Sequence, residues 1–258
     1  MTMKKLPVSV CMISGAEAHR IERALASVSA WTSEIIVVLN EEVTDGTDEI
    51  AARHGARIFR EPWKGHIAQK NSATAKATQS WILGLDADEV VSPPLRAEME
   101  ELFGPGQPAC AAYSFPRCAF YCGRWIRHGD WYPDRQTRLW QRGRAVWEGI
   151  DPHDRLRVDG RVGKLRSDLL HFTNDSIDRQ LAKLAPYSQQ FVEHCRARGR
   201  SANLFDLTVR PGWRFLRAYF FRLGFLDGWP GYYIAWLGAF SSLTRYIKIR
   251  EAELPRQT

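Results

Sequence analysis

The sequence predicts an α/β fold whose central sheet is mostly parallel and flanked by helices, followed by a helical C-terminal extension. Two observations carry this prediction. Short apolar runs alternate with segments of helical periodicity over the first hundred residues, which is typical of a parallel sheet covered on both faces. After residue 172 the pattern becomes helical, aromatic and basic. We therefore expect a main domain over residues 1–172 and an extension over residues 173–258.

Four strands are expected, at residues 8–13, 34–39, 56–59 and 81–85, and all but the short third one are expected to be buried. A helix follows each strand, and these helices are expected around residues 21–28, from residue 48, over residues 67–79 and from residue 93. The last helix has Ser92 as its N-cap and Pro93 at its first position, which is a favoured arrangement.

The pattern becomes irregular over residues 104–170, where we expect additional strands and long loops that complete a site. A helix is then expected to start at Asp175 or Ser176 and to be interrupted by Pro186. The final segment, residues 213–251, is rich in aromatic residues and arginine.

Composition indicates an ordinary globular protein, with 45% hydrophobic and 25% charged residues among 258. A formal net charge of +7 indicates an acidic partner, such as a phosphorylated substrate or anionic lipid. Nucleic acid is not expected, because no nucleic-acid-binding module is recognisable. The five cysteines lack a zinc-site pattern, so buried thiols in a reducing cytosol are expected. No signal peptide is evident, and no apolar stretch reaches the about 20 residues that span a bilayer.

Two carboxylates, Asp86 and Asp88, follow the fourth expected strand, and Asn40 ends the second. Ligands of such sheets bind outside the carboxyl ends of the strands. We expect the two carboxylates not to chelate one ion together unless the chain turns. One is expected to contact a metal ion and the other to hold ribose or a metal-bound water. Mg²⁺ and Mn²⁺ prefer such oxygen ligands. A polar strand end that only caps the next turn is the alternative.

Several segments, in chain order, carry a resemblance to a known family. They are Trp63-Lys64-Gly65, Gln69-Lys70-Asn71-Ser72-Ala73, residues 81–89, residues 131–140, His153-Asp154, residues 224–228 and Tyr246-Ile247-Lys248. Together they resemble family 2 glycosyltransferases of the GT-A fold, in the branch that contains the lipopolysaccharide core glucosyltransferases. The resemblance implies a metal-dependent hexosyltransferase that inverts the configuration of the anomeric carbon.

The resemblance also implies a nucleotide-sugar donor, such as a UDP-hexose. The residues implied for donor binding are Ser14, Glu17, Asn40, Gln69, Lys70, Asn71, Asp86 and Arg138, and Asp88 is implied as the ligand of Mn²⁺ or Mg²⁺. This chain departs from the family at two positions near the expected site of the nucleotide base. Ala16-Glu17 stands where the family commonly has Asn-Glu, and Asn40 lies where an Asp commonly hydrogen-bonds to the nucleotide base. Asn can still hydrogen-bond to a uracil edge. Lys70 as a solvated helix residue and Arg138 as a structural partner of a carboxylate are the alternatives.

A general base is implied in the second half of the chain. The branch usually has His-Glu where this chain has His153-Asp154. Asp154 is therefore implied as the base, with His153 orienting it or completing the metal shell. Asp151 is the second candidate for the base.

The implied acceptor is a saccharide or glycolipid of the lipopolysaccharide-core type. Arginines of the extension (Arg210, Arg214 and Arg217) lie among aromatic residues, a combination that predicts contact with an anionic leaflet at the inner face of the cytoplasmic membrane. The alternative is that these aromatics only pack against the main domain.

Two other classes of protein remain open. A sugar-phosphate nucleotidyltransferase would have a glycine-rich basic loop after the first strand, where this chain has Ser14-Gly15-Ala16-Glu17. A non-catalytic, membrane-associated adaptor would retain the fold without binding a nucleotide-sugar.

Overall fold

The computed structural model describes residues 5–104, 106–151, 153–173 and 176–254, and the side chain of His153 lies outside what it describes. The chain forms two compact units. The first comprises residues 1–117 and 134–172, and the second comprises residues 118–133 and 173–258.

The first unit is built on a mixed β-sheet. The strands of the chain are β1 (Leu6–Ser14), β2 (Thr32–Asn40), β3 (Arg57–Glu61), β4 (Trp81–Gly84), β5 (Glu89–Val91), β6 (Ala112–Tyr121), β7 (Arg124–Ile126), β8 (Asp134–Gln141), β9 (Ala145–Ile150), β10 (His153–Val158), β11 (Val162–Lys164) and β12 (Leu169–Phe172). The spatial order is β3-β2-β1-β4-β8-β6-β12-β5, with β11 beside β6. Strands β1 to β4 pair in parallel, as predicted, whereas β8 runs antiparallel to β4. Strands β9 and β10 form a separate antiparallel hairpin.

Helices cover both faces of this sheet. They are α1 (Ile21–Ala26), α2 (Thr47–Arg53), α3 (His66–Ala75) and α4 (Pro93–Phe103). Alternate residues of β1 enter two separate apolar clusters: Val10 and Met12 pack with residues of α1 and α4, while Cys11 packs with residues of α3. This alternation is the period of a strand with both faces buried, and it confirms the predicted α/β class.

The sequence predicted the start of α4 correctly but made α3 too long. Ser92 Oγ accepts a hydrogen bond from the Leu95 backbone N–H at 3.2 Å, which confirms the predicted N-cap of α4. The helix predicted over residues 67–79 ends at Ala75. It ends early because the next backbone N–H groups leave the helical pattern: that of Thr78 donates to Glu34, and that of Gln79 donates to Ser9 Oγ.

The second unit is mainly helical, with α5 (Ile177–Ala197), α6 (Leu204–Leu216) and α7 (Gly228–Glu253). A π-helical turn (Arg217–Phe221) and a 3-10 turn (Gly224–Asp227) connect α6 to α7. Strand β7 pairs with the end of β6 inside this unit. Among the residues that the structure describes, none of the helices combines the length and hydrophobicity that crossing a bilayer requires.

The predicted interruption at Pro186 is wrong, because α5 continues across it. A proline inside a helix removes one backbone hydrogen bond and costs about 3 kcal/mol. Packing offsets this cost: Val192 and Cys195 of α5 are buried in one cluster with Tyr246 and Ile249 of α7.

The start of α5 agrees with one of the two predicted positions. Ser176 is the N-cap, and its Oγ accepts a hydrogen bond from the Arg179 N–H at 3.2 Å. Asp175, the other predicted start, lies outside the described residues.

The segment from Gly224 to Gly228 holds the second unit together. The carboxylate of Asp227 is buried and accepts hydrogen bonds from the backbone N–H groups of Arg127 and His128, at 3.0 and 2.8 Å. Its other oxygen lies 2.9 Å from His128 Nδ1. A Cβ on Gly231, in the first turn of α7, would lie 2.0 Å from the carbonyl oxygen of Gly224. Packing therefore explains the residue types of this segment.

Substitution of Gly231 tests this packing. We expect Gly231→Ala to destabilise the protein by about 1–3 kcal/mol, because the added methyl group overlaps a backbone oxygen that cannot move freely. For a chain of this length, that change lowers the melting temperature by ~2–10 °C. Thermal unfolding followed by circular dichroism measures it.

The matched control is Gly212→Ala in α6, where an added Cβ meets nothing within 4 Å. There alanine is expected to stabilise the helix by up to about 1 kcal/mol. Equal effects of the two substitutions would contradict the packing described for Gly231.

Candidate active site

Polar residues gather at one edge of the sheet in the first unit. Asn40 ends β2, Ser14 ends β1 and Asp86 follows β4, and these three strands are neighbours in parallel. Strand β8 runs antiparallel to β4 with Leu139 opposite Leu83, so Arg138, the residue before Leu139, lies at the same edge. The sheet thus brings four predicted site residues to one edge in the order Asn40, Ser14, Asp86 and Arg138.

The two carboxylates of the Asp86-Ala87-Asp88 segment face different partners. Ala87 between them is buried, and both aspartates are half-buried. Glu89 accepts a hydrogen bond from the Asp86 backbone N–H at 3.1 Å, so it caps the turn after β4. Asp86 contacts Lys70 and Arg138, whereas Asp88 contacts a separate group of residues. Their different surroundings allow the two aspartates different roles.

The ammonium group of Lys70 lies between two carboxylates. Its Nζ is 3.2 Å from Asp86 Oδ1 and 2.9 Å from Asp154 Oδ2. It also lies 4.7 Å from the centroid of the Trp147 ring. Helix α3, the turn after β4 and the hairpin strand β10 therefore meet at one nitrogen atom.

The pairing of opposite charges continues beyond Asp86. Arg138 Nη2 lies 2.6 Å from Asp86 Oδ2 and 2.9 Å from Glu89 Oε1. Arg117 Nη1 lies 3.3 Å from the same Glu89 oxygen, and its Nη2 lies 2.7 Å from Asp134 Oδ2. In this structure Arg138 is thus the partner of two carboxylates, which was the alternative to a direct role at the donor.

The cations set the protonation state of Asp86. Desolvation by the surrounding protein raises its pKa, but the charges and hydrogen bonds of Arg138 and Lys70 outweigh that effect. The pKa of Asp86 therefore lies below its usual range, and the group is an anion at neutral pH. Desolvation opposes the charged form of Arg138 as well, but Asp86 and Glu89 raise the pKa of its guanidinium above the ordinary value.

An open cleft of about 480 Å³ lies beside these charges. Its walls come from α3, β8, the β9–β10 hairpin and the turn after β4. The side chains that line it include Lys70, Asp86, Gln136, Trp147, Asp154 and Arg155. Charged and amide groups around one indole ring offer both hydrogen bonds and an apolar surface, which suits a polyhydroxyl ligand.

Asp88 lies beside a histidine and an arginine. His171 Nε2 is 3.4 Å from Asp88 Oδ2, and Arg20 Nη1 is 3.5 Å from the same oxygen. Desolvation raises the pKa of Asp88, but His171 and Arg20 outweigh it and hold this pKa below the ordinary value. Within the described residues, no group of three or more His, Cys, Asp or Glu side chains is arranged to hold a metal ion. Asp88 and His171 are the pair of donors that could share an ion with a bound phosphate.

The remaining predicted donor residues have mainly structural contacts. Ser14 Oγ donates to the Gly15 carbonyl at 3.1 Å, and Glu17 pairs with Arg20. Asn40 Oδ1 lies 3.5 Å from the Glu42 backbone nitrogen. These contacts leave the edge of the sheet lined with polar side chains, but they do not indicate which nucleotide base would bind there.

Two neighbours of Lys70 on α3 behave differently from it. Asn71 exchanges two hydrogen bonds with the backbone of Trp147, at 2.8 and 3.0 Å, and so fixes the hairpin strand β9. Gln69 is buried, and among the described residues neither its amide oxygen nor its amide nitrogen has a hydrogen-bond partner. Gln69 is thus a predicted residue whose hydrogen-bonding capacity is unused.

The predicted second-half residues separate into two groups. Asp154 lines the cleft, whereas Asp151 Oδ1 accepts a hydrogen bond from the Ile67 backbone N–H at 3.0 Å, at the start of α3. A Cβ on Gly65 would overlap the Asp151 carboxylate, so this carboxylate sits directly against the chain there. His153, predicted beside them, has its side chain outside the described part of the structure.

The sequence reasoning missed Arg20 and His171 as site residues. His171 reaches the Asp88 region because β12 pairs with β5, with His171 opposite Glu89 in the register. The local signal was a histidine at the end of an apolar run, Leu169-Leu170. That signal carries no information about which distant strand the run pairs with.

Comparison with known proteins agrees with this geometry. The family model described as Glycosyl transferase family 2 matches residues 9–157. An uncharacterized glycosyltransferase of Rickettsia prowazekii is 31% identical over 271 aligned residues, which cover 99% of this chain and 90% of the relative. The lipopolysaccharide core biosynthesis glycosyltransferase LpsC of Rhizobium meliloti is 27% identical over 252 residues, covering 95% and 92%.

Solved structures share the fold. The mannosyltransferase PcManGT of Pyrobaculum calidifontis, solved with GDP-Man and Mn²⁺, aligns with a TM-score of 0.54 at 13% identity, over 98% of this chain and 89% of that one. TarS residues 1–349 of S. aureus, solved with UDP, align with a TM-score of 0.50 at 13% identity, over 97% and 91%. The predicted GT-A fold is thereby confirmed, and the match over most of the first unit shows that the chain belongs to glycosyl transferase family 2.

Proposed function

We propose that this protein is an inverting hexosyltransferase that moves a sugar from a nucleotide-sugar, a UDP-hexose, to a glycolipid or saccharide acceptor of the lipopolysaccharide-core type. The name of the relative LpsC supports the acceptor class. The observation that carries the proposal is the position of Lys70, whose single ammonium group joins Asp86 after β4 to Asp154 of β10 inside one cleft. A donor-side carboxylate and a candidate base, far apart in sequence, thus border the same space.

The donor diphosphate is proposed to bind at the Asp88 side of the sheet edge with Mn²⁺ or Mg²⁺. Asp88 Oδ2 and His171 Nε2 lie 3.4 Å apart, and carboxylate oxygen and imidazole nitrogen are donors that such ions accept, so both residues would hold the ion. When bound, such an ion stabilises the negative charge that develops on the departing diphosphate.

Asp154 is proposed as the general base. It accepts the proton of the acceptor hydroxyl while that oxygen bonds to the anomeric carbon and the bond from this carbon to the diphosphate oxygen breaks. Lys70 keeps the Asp154 carboxylate close to the reacting face of the cleft. Gln69, Asn71 and Arg138 are proposed to position α3 and the turn after β4 around the donor without contacting it directly.

The enzyme is proposed to act at the inner face of the cytoplasmic membrane. A glycolipid acceptor is held in a leaflet, so the enzyme must meet it at that surface. The basic, aromatic character of the C-terminal segment supports this location.

The base assignment predicts a specific loss in Asp154→Asn. Because the amide cannot accept the proton, turnover should fall about 10²–10⁴-fold while nucleotide-sugar affinity stays near that of the wild type. Release of UDP from a UDP-hexose, measured with a core-truncated lipopolysaccharide acceptor, gives the turnover. Calorimetric titration gives the affinity.

Two variants serve as controls for that experiment. Asp159→Asn removes an exposed carboxylate of the first unit and should leave turnover unchanged. Asp151→Asn should also retain most of its turnover, because the Asp151 carboxylate accepts a hydrogen bond at the start of α3 and does not line the cleft. Near-normal turnover in Asp154→Asn, or a large loss only in Asp151→Asn, would contradict the assignment.

The metal assignment predicts that Asp88→Ala and His171→Ala abolish the Mn²⁺-dependent part of UDP binding. Each substitution removes one of the two protein ligands, whereas Asp159→Ala removes a carboxylate of the same chemistry away from the site. Calorimetric titration of UDP with and without Mn²⁺ measures the effect. Unchanged Mn²⁺ dependence in both variants would refute a metal site at this pair.

The two other function classes make different predictions. A sugar-phosphate nucleotidyltransferase would release pyrophosphate from a nucleoside triphosphate, and membership in glycosyl transferase family 2 disfavours it. A non-catalytic adaptor would bind no nucleotide-sugar, with or without a divalent cation. The UDP-release assay therefore distinguishes the transferase from the nucleotidyltransferase, and the titrations distinguish it from the adaptor.

A further inference from the structure

Net positive charge is concentrated in the second unit. Residues 118–133 and 173–258 contain fifteen Lys and Arg residues against eight Asp and Glu residues. The rest of the chain contains twenty-one of each and is neutral. The net charge of +7 therefore belongs to the part of the chain outside the candidate active site.

Four of these arginines surround a pocket of about 380 Å³ between helices of the second unit. Arg210 and Arg214 of α6 and Arg217 of the following turn lie on one helical face, at spacings of four and three residues. Arg245 of α7 completes the set. The pocket thus presents guanidinium groups from two helices to one space.

Carboxylates neutralise only part of this charge. Asp206 pairs with Arg210 at 2.5 Å, and Asp130 lies 2.7 Å from Arg217 and 3.5 Å from Arg214. Asp130 is also shared with Arg222, at 3.5 Å, so it cannot neutralise one pocket arginine fully. Four guanidinium groups therefore face two carboxylates, and an excess of positive charge remains.

Arg245 is the pocket cation without an anionic partner among the described residues. Its guanidinium lies 5.5 Å from the centroid of the Phe191 ring, and its Nε is buried without a hydrogen-bond partner. The Nε of Arg214 is also buried without a hydrogen bond, although it lies 3.5 Å from Asp130 Oδ2. Burial and the neighbouring charge of Arg214 lower the pKa of Arg245 from its ordinary value. Buried guanidinium donors with no acceptor are what an incoming anion would satisfy.

The backbone of α7 is shaped around one of these arginines. A Cβ on Gly238 would lie 3.1 Å from the Nε of Arg214. Glycine at this position therefore lets the Arg214 side chain lie across α7 toward Arg245. The pocket is formed by packing between helices and is more than a group of surface arginines.

An exposed aromatic face adjoins the pocket. Trp213 lines the pocket, is 54% exposed and contacts Phe221, with 5.4 Å between ring centroids. Phe221 is 70% exposed. Large aromatic side chains left in water beside a cationic pocket match an amphiphile with an anionic head and an apolar tail.

We propose that this arginine pocket binds the phosphate group of an anionic membrane phospholipid, while the exposed aromatic face around Trp213 and Phe221 enters the interfacial layer of the leaflet. The proposal rests on the membrane location proposed above. It does not depend on the donor, the acceptor or the transfer reaction. Guanidinium groups suit phosphate because their planar donors form paired hydrogen bonds with its oxygens.

Vesicle sedimentation without donor or acceptor tests the proposal. The wild-type protein should sediment with vesicles of phosphatidylcholine and phosphatidylglycerol, much less with phosphatidylcholine alone, and less again at high salt. Arg245→Gln should weaken partition about 5-fold, the effect of one basic residue at an anionic surface. Arg250→Gln removes the same charge from the same helix outside the pocket, at a residue 60% exposed, and should change partition less than about 2-fold.

Two further variants separate the pocket from the aromatic face. Arg245→Lys keeps the charge but loses the planar donors, so its partition should fall between those of the wild type and Arg245→Gln. Trp213→Ser should weaken partition, whereas Trp63→Ser, at a 48% exposed tryptophan of the first unit, should not. Melting temperatures close to that of the wild type confirm that each variant is folded.

Several outcomes would overturn the proposal. Equal losses in Arg245→Gln and Arg250→Gln would mean that diffuse charge, without a pocket, attracts the membrane. Arg245-dependent stabilisation by inorganic phosphate without vesicle binding would mean that the anion is free phosphate. A dimer in solution that Trp213→Ser dissociates, again without vesicle binding, would mean that a second copy covers the aromatic face. If the wild-type protein did not bind the vesicles but transferred normally to a detergent-dispersed acceptor, the docking surface alone would be refuted and the proposed reaction would stand.

Discussion

A chain of alternating charges organises the candidate active site. Its members, each within 3.3 Å of the next, are Asp154, Lys70, Asp86, Arg138, Glu89, Arg117 and Asp134. They come from α3, the turn after β4 and strands β5, β6, β8 and β10, so the chain fixes elements that the backbone ladder alone does not join. Removing the buried Arg138 would take one cationic partner from each of Asp86 and Glu89, and breaking a buried pair costs about 3–5 kcal/mol.

This balance of charge bears on how a donor would bind. This series of alternating charges contains four carboxylates and three cations, and Asp88 adds another carboxylate at the same edge of the sheet. Each of the three cations in this series already contacts two carboxylates, so a diphosphate would enter a region with few free positive charges. Asp88, His171 and Arg20 lie where a divalent ion and one arginine would supply the missing charge. Electrostatics thus connects the proposed metal dependence to the observed geometry.

Features that depend on neighbouring residues could be predicted from the sequence. The buried strand before Asp86, the Ser92 cap and the alternation of β1 between two faces follow from residue types and their periods. Non-local pairing was beyond such reasoning: Lys70 and Asp154 are 84 residues apart, and His171 reaches Asp88 through the register of β12 with β5. Pro186 was misjudged because the packing of α5 against α7 overrides its local effect on the helix.

The central claim is that the edge of the sheet after β4 binds a nucleotide-sugar together with a divalent ion. A thermal-shift panel of UDP, GDP and their hexose conjugates, with and without Mn²⁺, tests it most directly. A ligand that binds only the folded state raises stability by about 2.7 kcal/mol at one hundred times its Kd. We expect UDP compounds to raise the melting temperature when Mn²⁺ is present and much less when it is absent. No shift with any nucleotide compound in either condition would contradict the claim.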